Sequence, residues 1–388
     1  MRVIGVMSGT SYDAIDVAAA DLRLEGDAVV LRPLGALQVS YADDMRSRIA
    51  GALPPAQTTI AEVCRLDTEL GRLFADAARR GVDELCGGRA DLVVSHGQTV
   101  YHWVDLGGEV RGTLQLGQPA WIAERTGLPV VSDLRSRDVA RGGQGAPLVS
   151  MFDVLLLGGS ARRGALNLGG IANLTVVAPG ADPLAYDIGP ANALVDAAMR
   201  QLVGSTYDEG GAHAARGTVH AGLLASLLDE PYYDRAAPKS TGKETFHWGY
   251  LAERLAKHGG IPAADVVTTV SELTAQVVAV ELRLHNLAEV FVSGGGVRNP
   301  WLMRRLRELA GAGCVVSDIA ELGVGADDKE AYAFALLGFL TVHGLAGTVA
   351  TCTGAAGPAV LGSITPGASP LRLPSPAENP PTRLLIDA

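Results

Sequence analysis

Apolar positions along the chain fall into short runs punctuated by glycine, and the period inside the runs alternates between that of strands and that of helices. Val3 to Met7 is continuously apolar, Ala14 to Leu22 alternates loosely, and Val29 to Leu37 follows a Gly-Asp turn, which predicts three opening strands. Over 57–80, Val63, Leu66, Leu70, Leu73, Phe74 and Ala77 share one helical face. A short buried strand at 91–95, a helix near 118–126 and a strand at 129–132 follow. The second half restarts this plan with strands at 165–168, 171–177 and 184–188. Helices at 191–203 and 270–286 come next, with a buried strand at 265–269 between them, then a strand at 290–293 and a helix at 300–310. Two rounds of strand–strand–strand–helix–strand–helix predict a duplicated α/β architecture, although no residue-level repeat accompanies them.

The length of 388 residues exceeds one ordinary core and fits two domains. Residues 1–140 with about 350–388 are expected to form the first and 141–349 the second. Ala331 to Ala350 is twenty residues without a formal charge, close to the length of a membrane span. No Lys or Arg follows until Arg372, so a buried helix at a domain junction is the preferred reading. The Pro-rich tail after Pro366 is expected to wrap the surface. A net charge of −10 with no basic run argues against nucleic acid as a partner. The N-terminal apolar run is too short for a secretory signal, so a cytoplasmic protein with no membrane partner is expected. Cys64, Cys86, Cys314 and Cys352 show no metal-ligand spacing and read as reduced, buried thiols.

Three glycine-rich turns each follow a predicted strand: Met7-Ser8-Gly9-Thr10-Ser11, Asn167-Leu168-Gly169-Gly170-Ile171 and Ser293-Gly294-Gly295-Gly296-Val297-Arg298-Asn299. Glycine lets backbone amides converge on an anion without a side chain in the way. One such turn is commonly a plain hairpin; three in corresponding places of two α/β halves point to nucleotide phosphates. Ser240-Thr241-Gly242-Lys243-Glu244 lacks the Ser or Thr that a P-loop needs after its lysine. A nucleotide clamped between duplicated domains, as in the sugar kinase, heat-shock chaperone and actin superfamily, is the reading that remains.

Ordered blocks then carry a specific resemblance. They are Gly5-Val6-Met7-Ser8-Gly9-Thr10-Ser11-Tyr12-Asp13-Ala14-Ile15-Asp16, Ser95-His96-Gly97-Gln98-Thr99, Gly142-Gly143-Gln144-Gly145-Ala146-Pro147, Asp187-Ile188-Gly189-Pro190-Ala191-Asn192, Pro238-Lys239-Ser240-Thr241-Gly242-Lys243-Glu244 and Lys329-Glu330-Ala331. The sequence resembles the anhydro-N-acetylmuramic acid kinase family over nearly its whole length. Ala14, Ile188 and Ala191 stand where that family's pattern has Gly, Thr and Gly. Leu134 and His247 replace its usual Phe and Asn.

The resemblance implies two actin-like (ribonuclease H-like) domains with a nucleotide and sugar cleft between them. It implies ATP and Mg²⁺ as cofactors and a small-molecule substrate, 1,6-anhydro-N-acetylmuramic acid; it leaves a homodimer open. Asp187 is then the expected general base and Glu330 the second catalytic carboxylate, although either could simply serve a helix start. Ser8, Gly9, Thr10, Ser11, Asp13 and Asp16 would receive the phosphates, with Asp13 also facing the magnesium ion. Gly169 and Gly170 would cradle phosphates, and Gly294, Gly295, Gly296 and Asn299 would take the adenosine. His96, Gln98, Gln115, Arg135, Asn192 and Lys239 would bind the sugar, Arg135 being best suited to its carboxylate. A non-catalytic ATP- and sugar-binding regulator on the same fold, or a kinase of a different sugar, are the alternatives.

Overall fold

The computed structural model describes every residue except Thr10, Leu106, Pro238, Lys243, Glu378 and Ala388. It divides into two compact units, Met1–Leu156 with Asp328–Ala388, and Leu157–Asp327. Chain order in the first is β1 (Arg2–Ser8), β2 (Ala14–Glu25), β3 (Ala28–Ser40), α1 (Asp43–Ala52), α2 (Ile60–Arg80), β4 (Leu92–Val104), β5 (Val110–Leu116), α3 (Pro119–Thr126), β6 (Val130–Ser132), α4 (Ser136–Ala140) and α5 (Ser150–Leu157). The second unit contains β7 (Arg163–Leu168), β8 (Ile171–Val177), β9 (Leu184–Pro190), α6 (Asn192–Ala198), α7 (Ala221–Leu228), α8 (Trp248–Leu255), α9 (Ala263–Leu284), β10 (Glu289–Ser293), α10 (Pro300–Ala310) and β11 (Val315–Asp318). The chain then returns to the first unit as α11 (Lys329–Val342), α12 (Ala350–Thr353), β12 (Ser363–Thr365) and β13 (Arg383–Ile386).

The duplication is plain in the sheets. In the first unit β3, β2 and β1 are neighbours, followed by β4 and β6; in the second β9, β8 and β7 are followed by β10 and β11. In both, the first three strands pair antiparallel and the fourth lies parallel to the first. The same order arises twice without a repeat in the residues, because what recurs is the alternation of strand and helix periods.

β1 is buried on both faces, which explains its unbroken apolar run. Ile4 and Val6 join Leu66, Leu70 and Phe74 of α2 in one core. On the opposite face a Cβ on Gly5 would collide with the Ala331 carbonyl, and one on Gly338 with the Val94 side chain. These glycines let α11 lie directly on β1 and β4. All but one of its fourteen residues are buried, the exception being Glu330. Burying each Leu or Phe stabilises by about 1.5–3 kcal/mol, so the uncharged stretch is a core helix as far as Val342, where α11 ends. α11 therefore belongs to the first unit, whose boundaries fall at 156 and 328 and not at the expected 140 and 350.

The expected strand at 265–269 is the first turns of α9. Its β-branched run (Val266, Val267, Thr268, Thr269, Val270) imitates a strand, but the apolar pattern continues through Leu273, Val277 and Val278, all buried. Thr268 and Thr269 return their hydroxyls to the carbonyls of Ala264 and Asp265, at 2.9 and 2.6 Å, which removes the conflict with the helix. Among the described residues α9 alone is long and apolar enough to cross a membrane, and 72% of its apolar window is packed inside the protein. The tail differs from a simple wrap, since β13 pairs parallel with β3 as an edge strand. Cys86 and Cys352 are buried as expected, whereas Cys64 is exposed and Cys314 is intermediate.

Candidate functional site

The β1–β2 connection of the first unit carries the first glycine turn. Ser11 and Asp13 are exposed there, and the Ser11 hydroxyl donates to Asp13 Oδ1 at 2.5 Å. Tyr12 takes a positive φ of 43° and donates its amide to the Gly9 carbonyl, closing a tight turn. Asp16 accepts from Gln38 Nε2 at 2.7 Å across β2 and β3, so it serves the sheet. Ser8 departs from the expected phosphate role: its side chain is buried, donating to Gln98 Oε1 at 2.6 Å and meeting the Tyr41 hydroxyl at 2.9 Å. Gln98 departs likewise. It is fully buried, and its Nε2 donates to the carbonyls of Gly9 and Thr99, so it braces the turn from below. Gln115 on β5 donates to Thr99 and Thr113 within the β4–β5 pair. Thr10 lies outside the described residues.

His96, Arg135 and Glu330 do gather in the first unit. His96 Nδ1 donates to the Gly97 carbonyl at 2.7 Å, which leaves Nε2 to accept from Arg135 Nε at 2.9 Å. Burial, and then the Arg135 charge, push the His96 pKa down to about 3, so the ring is neutral at any working pH. Its face tilts against Phe334 of α11 at 4.7 Å. His96 is thus an acceptor that aims Arg135, and not itself the expected sugar contact. Arg135 Nη1 donates to the Gly145 carbonyl at 2.6 Å. Glu330 opens α11, and burial raises its pKa; Lys329 and Arg135 oppose that shift, while Asp16 and Asp153 reinforce it. Lys329 was no expected site residue, yet its ammonium is buried against Asp153 Oδ1 at 2.6 Å.

In the second unit two glycine turns meet. Gly294 has φ 79°, and a Cβ there would strike Asn167 and the Leu168 backbone. Only glycine lets the 294–296 turn sit against the end of β7. Asn192 donates its side-chain amide to the carbonyls of Leu168 and Gly169 at 3.0 and 2.9 Å, and its backbone amide also reaches Gly169. It is therefore the staple of the Gly169-Gly170 turn and not free to grip the sugar through that nitrogen. Asn299 is also corrected: it is buried, and its Oδ1 accepts from Leu302 N at 3.0 Å as the N-cap of α10.

Asp187 lies near the end of β9. Its Oδ2 accepts from Ser240 Oγ at 2.9 Å and from Thr241 N at 3.1 Å. The Tyr232 hydroxyl donates to its carbonyl at 2.7 Å, and its own amide donates to the Lys239 carbonyl at 3.0 Å. Burial raises the Asp187 pKa and nearby Glu244 adds to this, while the Thr241 and Ser240 hydrogen bonds hold it back. A carboxylate with a raised pKa, one oxygen fixed and partly open to solvent, suits proton abstraction. Lys239 turns its side chain inward. Its ammonium is buried, donating to Glu281 Oε1 at 3.2 Å and to the Tyr233 carbonyl at 3.0 Å. Pro238 and Lys243 of this block lie outside the described residues.

The profile of the anhydro-N-acetylmuramic acid kinase family matches residues 1–367. The chain belongs to that family. It is 60% identical to a Streptomyces coelicolor protein named anhydro-N-acetylmuramic acid kinase, covering 100% of this chain and 99% of the relative. A Rhodococcus erythropolis protein of the same name is 55% identical, with 100% of both chains covered. Among solved structures, a ROK family glucokinase from Streptomyces griseus, bound to glucose and AMPPNP, matches with TM-score 0.37 and 14% identity over 87% of this chain and 99% of that one.

Four of the five departures from the family's pattern lie in the interior. Ile188, Ala191 and Leu134 are each about 1% exposed, and Ala14 is 5% exposed. They are interior packing positions, and the Asp187 carboxylate accepts from Ser240 and Thr241. His247 accepts from Gly249 N at 3.0 Å as the N-cap of α8, a duty its Asn counterpart could share.

Proposed function

We propose that this chain is an ATP-dependent kinase that opens 1,6-anhydro-N-acetylmuramic acid with water and phosphorylates the released 6-oxygen. The products are N-acetylmuramic acid 6-phosphate and ADP, and the setting is cytoplasmic cell-wall recycling. Family membership over residues 1–367 supports the reaction class. The observation that carries the mechanism is Asp187, whose Oδ2 is tied to Ser240 and Thr241 while burial raises its basicity.

Water must reach the anomeric carbon, and its proton must leave as the new bond forms. Asp187 takes that proton; the anhydro bond breaks toward the 6-oxygen, which becomes the nucleophile for the γ-phosphorus. Coupling the steps avoids a free sugar alkoxide. Glu330, at the start of α11 in the first unit, is the second carboxylate we assign, suited to orient sugar or water. Arg135 has five N–H donors, and those not given to His96 and Gly145 meet the lactyl carboxylate.

Within the first unit Gly9, Ser11 and Asp13, and within the second Gly169-Gly170 with Gly294, Gly295 and Gly296, are the turns suited to phosphate and adenosine. Among the described residues no three His, Cys, Asp or Glu side chains form a metal site of their own. Asp13 fits magnesium nonetheless, because that ion keeps most of its water and needs only one or two carboxylates. When bound it neutralises phosphate charge.

The test is ADP release with and without the anhydro sugar, together with identification of the sugar phosphate. Sugar-dependent ADP formation matched by N-acetylmuramic acid 6-phosphate is expected. Equal turnover with ordinary amino sugars would assign a different kinase, and no sugar-dependent ADP at all would leave a binding protein.

A further inference from the structure

Asp187 is held by three consecutive residues, and those residues are themselves anchored deep in the second unit. The Lys239 carbonyl accepts from the Asp187 amide, Ser240 Oγ and Thr241 N both donate to Asp187 Oδ2, and the three bonds measure 3.0, 2.9 and 3.1 Å. Behind them Lys239, its side chain 4% exposed, donates through its ammonium to Glu281 Oε1 on α9. Glu281 Oε2 accepts from the Tyr186 hydroxyl at 2.9 Å, and that hydroxyl meets His285 Nε2 at 2.7 Å. The Lys239 ammonium also lies 5.3 Å from the Tyr232 ring, whose hydroxyl reaches the Asp187 carbonyl. The segment 239–241 is therefore a strap fastened at Lys239 to the body of the unit and at Ser240 and Thr241 to one carboxylate oxygen.

We infer that the 239–241 strap is a positioning device for the Asp187 base, in which Ser240 and Thr241 hold Oδ2 and turn Oδ1 to the reacting water, and the buried Lys239–Glu281 pair keeps the strap in register. The inference rests on the base role proposed for Asp187. Its physical content is directional. A hydrogen bond fixes orientation where a bare charge does not, and a buried ion pair is a rigid anchor because breaking it leaves a charge without a partner.

Donors to a carboxylate also favour its charged form. The titratable groups facing Asp187 are Glu244 and Tyr232, with Lys239, Glu281 and Tyr186 behind the strap. Of these Glu244 works with burial to raise the pKa, and the Ser240 and Thr241 donors work against it. Removing the exposed Ser240 hydroxyl should therefore raise the pKa further. The base would be protonated over a wider acidic range, so the acid limb of kcat must move to higher pH.

The experiment compares wild type, Ser240→Ala, Ser240→Thr, Lys239→Met and Asp187→Asn in sugar-dependent ADP release across pH 4.5 to 8.5, with thermal melts as a check on folding. Ser240→Ala should move the half-maximal point of the acid limb up by roughly half to one pH unit, with the ATP KM unchanged. Ser240→Thr, which keeps the hydroxyl, should bring the limb back. Lys239→Met should lower kcat about tenfold or more while nucleotide-induced thermal stabilisation persists. If Asp187→Asn is inactive and Ser240→Ala leaves the acid limb where it was, the strap proposal is overturned and the base assignment stands. If Asp187→Asn keeps a comparable rate, both fall. Should Lys239→Met fail to fold, the exposed Ser240 variants still decide the matter.

Discussion

Glu330 in the first unit and Asp187 in the second face the same physical problem and solve it differently. Burial raises the pKa of both, so each is costly to keep charged. Around Glu330 the compensation comes from cations, Lys329 and Arg135. Around Asp187 it comes from neutral donors, the Thr241 amide and the Ser240 hydroxyl. A cation stabilises a carboxylate over a range of orientations, whereas a pair of hydrogen bonds selects one. The contrast fits the roles proposed above: an acid set in a field of charge suits orienting a polar ligand, and an acid with one oxygen clamped suits taking a proton with the other. Both units also bury a lysine–acid pair beside their carboxylate, Lys329 with Asp153 and Lys239 with Glu281. Two of only four lysines in the chain are used this way.

Exchanging charge for shape at each carboxylate breaks the comparison most directly. Asp187→Asn keeps the acceptor for Ser240 but cannot take a proton, and product formation should fall ~10²–10⁴-fold, ring opening and phosphorylation together. Glu330→Gln should cost less, on the order of tenfold to a hundredfold, because a ligand-orienting acid retains part of its hydrogen bonding as an amide. Rates of sugar-dependent ADP release, with product identified by mass, separate the two. Equal losses would erase the division of labour, and a mutant at 187 that opens the ring without phosphorylating would show that one residue does not couple the steps.

The buried lysines supply the next test. Lys329→Met removes the ammonium that faces the buried Asp153 carboxylate, which should destabilise the first unit by about 3–5 kcal/mol. Adding Asp153→Leu should recover most of that, read by urea midpoint. A single mutant as stable as wild type would mean that the pair is not held as the 2.6 Å distance implies.

How far the sequence carried this comparison follows from what periodicity records. β1, β8, α2 and α10 lie where the apolar pattern puts them, and so do the three opening strands of each unit, whereas the fourth strand of the second unit is β10 and not the expected 265–269. β5 was not foreseen, and β4 was read only to 95, because His96, Gly97 and Gln98 interrupt the apolar run with polar groups that the fold buries. Asp187, Glu330 and Arg135 stand out in the sequence through the blocks that carry them. What they touch does not. Gln98, Asn192, Asn299 and Lys239 have the right groups for ligands, but each turns them inward to a turn, a cap or an ion pair. Side-chain direction is set by partners distant in sequence, such as Glu281 for Lys239 and Gly9 for Gln98. The Ser240-Thr241 signal was present in a recognisable block, though nothing local links it to a strand more than fifty residues earlier.

The smallest expected effect sharpens the cation side of the comparison. His96 holds Arg135 through Nε and Gly145 holds it through Nη1, so the guanidinium plane is fixed before any ligand arrives. Arg135→Lys keeps the positive charge near Glu330 but loses the planar fork and the His96 contact. If Arg135 grips the lactyl carboxylate, the sugar KM should rise roughly tenfold, the effect of losing one charged hydrogen bond worth about 1.5 kcal/mol. The ATP KM should stay within about twofold, since no nucleotide contact is removed. Because lysine still opposes the burial of Glu330, kcat should change less than KM. A KM rise confined to ATP would move Arg135 to the nucleotide. A collapse of kcat with both KM values unchanged would mean that the guanidinium acts in the transition state, so that the cationic surroundings of Glu330 would be catalytic in the same sense as the strap at Asp187.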